Sequence, residues 1–274
     1  MSALDRLRQL RDRSRILKAV HAVLRSLFYV ALGVFFPYGM SLGLPNRPGI
    51  KLHPRFFGWR PYKFEQEVCR ALDRHVTPGS TVLDVGAHVG LHTLRLSRAV
   101  GDAGQVIAIE PSPANAALLR KHLCWNACNN VIVLDAAVGE TAGEIEFSFR
   151  PDPTDPGASA NSMAYDIGGE KRRVKMVTID EVCRGLTPSV IKIDVEGAEL
   201  LAIRGAQELI SRSSPVLLVA VHPEPMQGLG TSPLELVDFL QTFGYEGRRL
   251  DGSPATELGM EEIVFEKAGL GSLT

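Results

Sequence analysis

The sequence of 274 residues predicts an α/β fold, a Rossmann-like, doubly wound sheet of seven strands with the last strand antiparallel. From about residue 63 onward, short apolar stretches alternate with amphipathic stretches of helical spacing. The first apolar stretch, residues 81–85, runs into a glycine turn and a helix, which is how such sheets open a nucleotide site. The second, residues 105–109, ends at an acidic residue, Glu110. Continuous apolar strands between amphipathic helices indicate a parallel sheet covered on both faces.

Composition and charge narrow the class of protein. With 45% hydrophobic and 22% charged residues, the chain has the composition of a folded protein. Residues 1–25 hold seven Lys or Arg against two Asp, so they carry +5, and the net charge of −1 leaves −6 for the rest. The acidic remainder argues against a nucleic-acid partner. Four cysteines without a C-x-x-C pair predict reduced, buried thiols in a cytoplasmic protein.

The first 44 residues predict a basic and apolar helical extension. Residues 3–36 have the apolar spacing of one long helix. The uncharged run 26–44 has 19 residues, but Pro37 and the glycines around it interrupt it before it is long enough to span a bilayer. Three alternatives remain open: a helix lying on the inner face of the membrane, a helix packed on the body or on a second copy of the chain, and a membrane span. Peripheral membrane contact through residues 1–44 and a homo-oligomer are therefore both expectations.

Local sequence features predict the remaining helices, strands and loops. Residues 45–62, rich in Pro, Gly and aromatic residues, predict an irregular connector to the main domain, 63–267, which a tail follows at 268–274. Residues 63–76 have the spacing of an amphipathic helix, and the Pro- and Gly-containing run 77–80 ends it. Pro113 suits a helix start. The strands are predicted at 81–85, 105–109, 131–134, 143–149, 173–177, 190–194, 216–221, 245–250 and 262–266, the later helices at 90–100, 113–127, 197–212 and 233–243, and surface loops at 150–171 and 222–231.

The glycine turn indicates which nucleotide cofactor binds. The sequence has Asp84, Gly86 and Gly90 in the pattern D-x-G-x-x-x-G, which lacks the glycine that approaches the pyrophosphate in the NAD fingerprint. Glu110 is placed to accept hydrogen bonds from both hydroxyls of a ribose. A carboxylate near the turn suits a cationic amino-acid group. The pattern therefore favours S-adenosylmethionine, with an NAD-dependent oxidoreductase as the alternative.

A second polar group follows the strand 190–194. Lys192 and Asp194 lie at its carboxyl end and Glu196 follows directly. Open α/β sheets bind their ligands at this end of the strands. The sequence therefore predicts that these carboxylates and the glycine turn share one site.

Residues 82–223 resemble the FkbM-type family of S-adenosylmethionine-dependent methyltransferases. His88 stands where Asn is commoner in that family, and Ala220 stands where the family often has Glu. The stretches that carry the resemblance are Asp84-Val85-Gly86-Ala87-His88-Val89-Gly90, Ile109-Glu110-Pro111, Ala137-Val138-Gly139, Val177-Thr178-Ile179-Asp180, Ile191-Lys192-Ile193-Asp194-Val195-Glu196-Gly197-Ala198-Glu199 and Arg204-Gly205-Ala206.

The resemblance implies a class I methyltransferase sheet and methyl transfer to a hydroxyl, typically on a sugar, a glycolipid or a polyketide-type molecule. The expected acceptor is a small molecule or a glycan. The hypothesis for the cofactor is that Gly86, His88 and Gly90 line its methionine part and that Asp84 orders the turn. Glu110 is assigned to the ribose, and Asp135 and Ala136 are expected to flank the adenine. For the reaction, Asp194 and Glu196 are expected beside the transferring methyl, with His222 as the general base.

Other roles are open for some of these residues. Lys192 could pair with a carboxylate for structure alone, and Glu199 is expected to face solvent or cap a helix locally. Asp194, Glu196 and His222 could hold a metal, as in catechol-type methyltransferases. No metal is predicted, because no dense carboxylate cluster supports one in the sequence. A non-catalytic, membrane-associated protein that keeps the fold is the remaining functional alternative.

Overall fold

The computed structural model describes residues 20, 23–24, 27–28, 31–44, 47–54, 56, 65–149, 170–255 and 257–269. The chain divides into two compact units, Met1–Tyr62 and Lys63–Thr274. Three predicted segments lie wholly or mostly outside the described residues: most of the helix 3–36, the end of the aromatic-rich connector at 57–62, and the tail from residue 270.

The first unit contains an antiparallel hairpin that the sequence analysis does not predict. Strand β1 (Met40–Leu44) pairs with β2 (Arg47–Leu52), with Met40 opposite Leu52. These ranges fall in the predicted helical extension and the predicted irregular connector. Apolar residues alternate in both strands, which is a strand signal, but the prolines and glycines around them hide it.

The apolar residues ahead of this hairpin are exposed. Residues 31–35 are helical, and Val34 and Phe35 are 73% and 77% exposed. Within the described part of the chain, no helix combines the length and the apolar character needed to cross a bilayer.

The second unit alternates strands and helices in the predicted order. Its strands are β3 (Thr81–Val85), β4 (Gln105–Ile109), β5 (Val131–Leu134), β6 (Ala137–Val138), β7 (Gly143–Phe149), β8 (Glu170–Val177), β9 (Val190–Ile193), β10 (Val216–Val221), β11 (Tyr245–Arg249) and β12 (Glu261–Lys267). Its helices are α1 (Gln66–His75), α2 (Leu91–Val100), α3 (Pro113–Trp125), α4 (Ile179–Val182), α5 (Glu199–Arg204), α6 (Gln207–Ser213), α7 (Pro223–Gly228) and α8 (Pro233–Gln241).

Seven of the described strands form one sheet in the order β11-β12-β10-β9-β3-β4-β5. Strands β10, β9, β3, β4 and β5 are parallel to one another, and β12 runs antiparallel to both β10 and β11. The predicted sheet, including its antiparallel last strand, is therefore confirmed. The strand order reverses between β3 and β9, and this is the point where doubly wound sheets bind ligands at the carboxyl ends of their strands.

Both faces of this sheet are covered. Successive residues of a strand point to opposite faces, so Leu83 packs in one apolar cluster with α5 and α6, whereas Val82 packs in another with α1 and α2. The central strands β3 and β9 are buried along almost their whole length. This burial explains why they appear in the sequence as uninterrupted apolar runs.

The strands predicted at 143–149 and 173–177 form a separate sheet together with β6. Its order is β6-β8-β7, with β8 antiparallel to β7 and parallel to β6. The predicted loop 150–171 lies outside the described residues except for Glu170 and Lys171, which are the first residues of β8. The small sheet therefore branches off after β5 and leads back to β9.

Two predicted boundaries are wrong for reasons that can be named. The predicted helix 197–212 is divided into α5 and α6. Between them, Gly205 lies so close to Gly139 that a Cβ at Gly205 would be 2.2 Å from the Gly139 carbonyl oxygen. Asp180 then accepts hydrogen bonds from two backbone N–H groups at the start of α6. The predicted loop 222–231 contains α7, which begins at Pro223. Proline is favoured in the first turn of a helix.

Of the four cysteines, Cys183 is buried as predicted, whereas Cys124 is exposed.

Candidate active site

The glycine turn after β3 packs directly on the end of β9. The carbonyl oxygen of Ile109 accepts hydrogen bonds from the backbone N–H groups of Gly86 (2.9 Å) and Ala87 (3.0 Å). Gly86 has φ +83°, and a Cβ there would lie 1.8 Å from the carbonyl oxygen of Asp194. Only glycine combines this backbone conformation with so close an approach. The two ligand-binding segments predicted from the sequence are thus in van der Waals contact.

A buried lysine joins the same two segments. Asp84 accepts a hydrogen bond from Thr93 Oγ1 (2.6 Å) on α2, and its other oxygen is 3.9 Å from Lys192 Nζ. Lys192 Nζ also donates to Asp194 Oδ2 (3.2 Å). Burial disfavours the charge of Lys192, but Asp194 and Asp84 outweigh it and raise the pKa of the amine. The lysine therefore carries its charge between the ends of β3 and β9.

His88 and Gly90 complete the turn. His88 has φ +50°, and its backbone N–H donates to Glu110 Oε2 (2.8 Å). Burial lowers the pKa of the His88 imidazole to about 4, so it is neutral at physiological pH. Gly90 precedes α2, and a Cβ there would lie 2.3 Å from Leu119 Cδ1 on α3. The turn is therefore closely packed on the side of α3.

Glu110 is buried at the end of β4 and connects the turn to α3. Its Oε1 accepts from the backbone N–H of Ser112 (2.9 Å) and from Asn115 Nδ2 (3.1 Å), and its Oε2 accepts from His88. A carboxylate can accept about four hydrogen bonds, so capacity remains on Oε2. Burial raises the pKa of Glu110 to about 7, although the hydrogen bonds from Ser112, Asn115 and His88 oppose the shift.

Asp135 and Ala136, predicted beside the adenine, follow β5 at the same edge of the sheet. Asp135 is about half exposed and forms an ion pair with Arg120 (2.8 Å) on α3. Ala136 is buried in the apolar cluster that contains Leu83. The Asp135 side chain is therefore engaged by Arg120, and the place of these two residues beside the adenine stays a prediction.

The three predicted catalytic residues meet beyond the ends of β9 and β10. His222 Nε2 lies 3.6 Å from Glu196 Oε2 and 4.0 Å from Asp194 Oδ1. All three side chains are partly exposed, by 13% for His222, 23% for Glu196 and 32% for Asp194, so a ligand can reach them. One oxygen or nitrogen from each lies within 4.8 Å of the others, close enough to hold a metal ion.

Glu199 is a site residue whose contact with His222 the sequence analysis does not predict. It is fully buried rather than facing solvent, and its Oε1 accepts a hydrogen bond from His222 Nδ1 (2.8 Å). The same oxygen accepts from the backbone N–H of Gly197 (2.9 Å), which is the local cap that the sequence analysis gives as the other alternative. The other oxygen, Oε2, has no hydrogen-bond partner within the described ranges. A buried carboxylate on Nδ1 fixes the imidazole so that Nε2 points to Asp194 and Glu196.

The carboxylates shift the protonation of this cluster. Burial alone would lower the pKa of His222, but the hydrogen bond that His222 donates to Glu199 and the charges of Glu196, Glu199 and Asp194 raise it to about 9. Burial raises the pKa of Glu196 to about 7, assisted by Asp194 and Glu199 and opposed by His222. In the cluster as it stands, the imidazole is protonated near neutral pH and Glu196 titrates there.

Comparison with known proteins places these features in a family. The model of the methyltransferase FkbM domain matches residues 84–246, more than half of the 274-residue chain. No curated protein matches the chain in sequence.

Solved structures with a similar fold include two methyltransferases and a fibrillarin. The methyltransferase FkbM from Methylobacillus flagellatus KT is 20% identical, with a TM-score of 0.46 over 68% of this chain and 43% of that one. The chain therefore spans less than half the length of that protein. A S-adenosylmethionine-dependent methyltransferase from Aquifex aeolicus is 16% identical (TM-score 0.42, 77% of this chain and 96% of that one). Fibrillarin from Aeropyrum pernix, in complex with S-adenosyl-L-methionine, is 13% identical (TM-score 0.43, 76% of each chain).

The match covers the glycine turn, Glu110 and the cluster around His222, and the sheet has the class I methyltransferase arrangement. The cofactor is accordingly S-adenosylmethionine rather than NAD. The chain belongs to the family of methyltransferases defined by the FkbM domain.

Proposed function

We propose that this protein transfers a methyl group from S-adenosylmethionine to a hydroxyl of a small molecule or glycan. One observation supports this most directly: the glycine turn after β3 touches the backbone of Asp194, so that cofactor-binding and catalytic segments adjoin. A methyl donor bound at the turn would lie next to the cluster of Asp194, Glu196 and His222.

The proposed cofactor position follows the carboxyl edge of the sheet. The methionine part would lie along the turn at Gly86, His88 and Gly90, which Asp84 orders through Thr93. One ribose hydroxyl would donate to the acceptor position that remains on Oε2 of Glu110, whereas the sequence analysis predicts bonds from both hydroxyls. The adenine would reach the backbone at 135–136, after β5.

The reaction needs alignment and a proton acceptor. Methyl transfer from a sulfonium is an in-line displacement with an already activated donor, so catalysis consists mainly of positioning the hydroxyl and removing its proton. The sequence analysis assigns the proton acceptor to His222. With its pKa at about 9, that imidazole already holds a proton near pH 7. Glu196, whose pKa is about 7, is the better acceptor, since a general base works best near the operating pH.

A methyl-transfer screen tests the proposed reaction. The full chain is incubated with isotope-labelled S-adenosylmethionine and extracts of cell glycans, lipids and small molecules, and mass spectrometry identifies the labelled product. We expect an O-methyl product, with a rate at least about 100-fold lower in Asp194→Asn, because the substitution removes a carboxylate that would stabilise the positive charge developing on the attacking hydroxyl. The matched control is Asp102→Asn, in the exposed turn before β4. A product methylated on nitrogen or carbon, or equal rates in both variants, would contradict the proposal.

The affinity for S-adenosylhomocysteine is expected to increase as pH rises through about 7, because the free protein holds a proton on Glu110 below that pH. A ribose hydroxyl donates to the ionised carboxylate, so binding must release this proton, and affinity falls by up to about tenfold per pH unit on the acidic side. Calorimetric titration between pH 5.5 and 8.5 measures the effect.

Two variants assign the pH dependence to the correct group. Glu110→Gln should bind more weakly and without this dependence, since it cannot ionise. Asp135→Asn should keep the dependence, because Asp135 is half exposed and paired with Arg120. If Glu110→Gln retains the wild-type profile, another group is responsible and the ribose assignment is wrong.

A further inference from the structure

The cluster around His222 carries more negative than positive charge. Lys192 is shared by Asp84 and Asp194. The remaining carboxylates, Glu196 and Glu199, have only His222 as a positive partner in the described part of the chain. Two basic side chains, Lys192 and His222, therefore serve four carboxyl groups. Buried charge of one sign is costly unless a counter-charge is near.

The distances from His222 Nε2 to Glu196 and Asp194 are too long for hydrogen bonds but suit three ligands of one metal ion. His222 Nε2 is 3.6 Å from Glu196 Oε2 and 4.0 Å from Asp194 Oδ1, beyond hydrogen-bond length. Two donors on one small divalent cation, each about 2.0–2.2 Å from it, are at most about 4.4 Å apart. The three donor atoms lie within 4.8 Å of one another, so one ion can reach all of them with small side-chain movements.

Glu199 fixes the orientation of the His222 imidazole through a hydrogen bond to Nδ1. A metal-binding histidine usually donates its second N–H to a carboxylate, which fixes the tautomer and aims the free nitrogen at the ion. His222 has this arrangement, with Nδ1 on the fully buried Glu199 and Nε2 directed to Asp194 and Glu196. The sequence analysis predicts no metal because no dense carboxylate cluster is visible. Burial of Glu199 beside His222 supplies the missing member of that cluster.

We propose that Asp194, Glu196 and Nε2 of His222 bind a divalent cation of the Mn²⁺ type, which displaces the proton from Nε2 and also binds the acceptor hydroxyl. The two carboxylates suit Mn²⁺, and the imidazole favours a first-row transition-metal ion over Mg²⁺. The role in transfer rests on the proposed function. A bound cation lowers the pKa of a coordinated hydroxyl. The hydroxyl proton passes to a carboxylate oxygen of Glu196 that is not bound to the ion. The alkoxide oxygen forms its bond to the methyl carbon as the sulfur–methyl bond breaks, leaving neutral S-adenosylhomocysteine.

Direct binding of Mn²⁺ tests the site without requiring an acceptor. Metal-stripped full chain, saturated with S-adenosylhomocysteine, is titrated with Mn²⁺ while electron paramagnetic resonance measures the free ion. We expect one Mn²⁺ per chain, at least tenfold weaker binding in Asp194→Asn and in His222→Gln, and unchanged binding in the control Asp102→Asn. Binding of S-adenosylhomocysteine to each variant shows that it is folded. Wild-type protein that binds S-adenosylhomocysteine but not Mn²⁺, or Mn²⁺ binding equal in all variants, would overturn the proposal.

The activity measurement separates this proposal from the proposed function. Once an acceptor is identified, chelation should lower the transfer rate at least tenfold, and added Mn²⁺ should restore it. Transfer that continues unchanged in the stripped protein contradicts the cation and leaves the methyltransferase function intact. Stoichiometric Mn²⁺ binding at this cluster, with no methyl transfer to any extract, contradicts the proposed function and leaves the cation site standing.

Discussion

Gly86→Ala is expected to lower the free energy of unfolding by at least about 3 kcal/mol and to weaken S-adenosylhomocysteine binding more than 100-fold. A residue with a Cβ costs about 1–2 kcal/mol in this left-handed backbone region. The larger cost comes from the overlap, because the new Cβ would lie 1.8 Å from the carbonyl oxygen of Asp194, a backbone atom of a buried strand end. Either the turn or the end of β9 must move, and both belong to the site. Urea denaturation and calorimetric titration measure the two effects.

Gly79→Ala is the matched control for this prediction. Gly79 has nearly the same backbone angle, φ +82°, but a Cβ there would meet nothing within 4 Å. Its substitution therefore introduces only the backbone cost of about 1–2 kcal/mol and should not change cofactor affinity. The difference between the two variants isolates the contact of Gly86 with Asp194. If the two variants lose equal stability and bind the cofactor equally well, that contact does not shape the site.

The main sheet could be predicted from the sequence because its strands are buried on both faces. Strands β3 and β9 are continuous apolar runs for that reason. The small sheet and the hairpin of the first unit give weaker signals. Four consecutive residues at the start of β8, Glu170 to Arg173, are charged and exposed. A strand start of this kind resembles a loop in composition, so residues 170–171 are predicted as part of the loop 150–171 and the strand is predicted to begin only at residue 173.

The candidate site was predictable where it depends on strand ends. Asp84, Glu110 and Asp194 each stand at or directly after the carboxyl end of a parallel strand, and such ends converge at one edge of the sheet. The role of Glu199 was not predictable, since its environment depends on His222, a residue 23 positions away. A carboxylate in the first turn of a helix ordinarily faces water. The proximity of Glu196 and Glu199 in one motif was the available signal, but it does not show which of them is buried.

Family resemblance and local physics divide the matching motifs into two groups. The stretches that end at Gly90, Glu110 and Glu199 supply the site. Asp180, from another matching stretch, instead begins α6 by accepting two backbone hydrogen bonds. Gly205, from a third, allows the backbone to pass close to Gly139. Part of the family pattern therefore holds the small sheet and α6 in place rather than contributing to chemistry.

Lys192→Met is expected to lower the free energy of unfolding by about 3–5 kcal/mol, as is usual when one partner of a buried ion pair is removed. The amine is 3% exposed and lies between Asp84, which is 1% exposed, and Asp194. Methionine fills a similar volume but leaves these two carboxylates without their positive partner. Urea denaturation measures the loss. Lys175→Met, on an exposed position of β8, is the control and should change stability by less than about 0.5 kcal/mol.

A second substitution shows whether the loss of stability in Lys192→Met comes from leaving a carboxylate charge without its positive partner. In Lys192→Met, adding Asp84→Asn removes the negative charge that is fully buried and keeps an oxygen that can accept the hydrogen bond from Thr93. The double variant should therefore be more stable than Lys192→Met alone, and a double-mutant cycle gives the coupling energy. If it is less stable, shape rather than charge explains the loss. If stability recovers while S-adenosylhomocysteine still binds poorly, Lys192 serves the cofactor site as well as the fold, since Asp194 then lacks the partner that orients it beside the glycine turn.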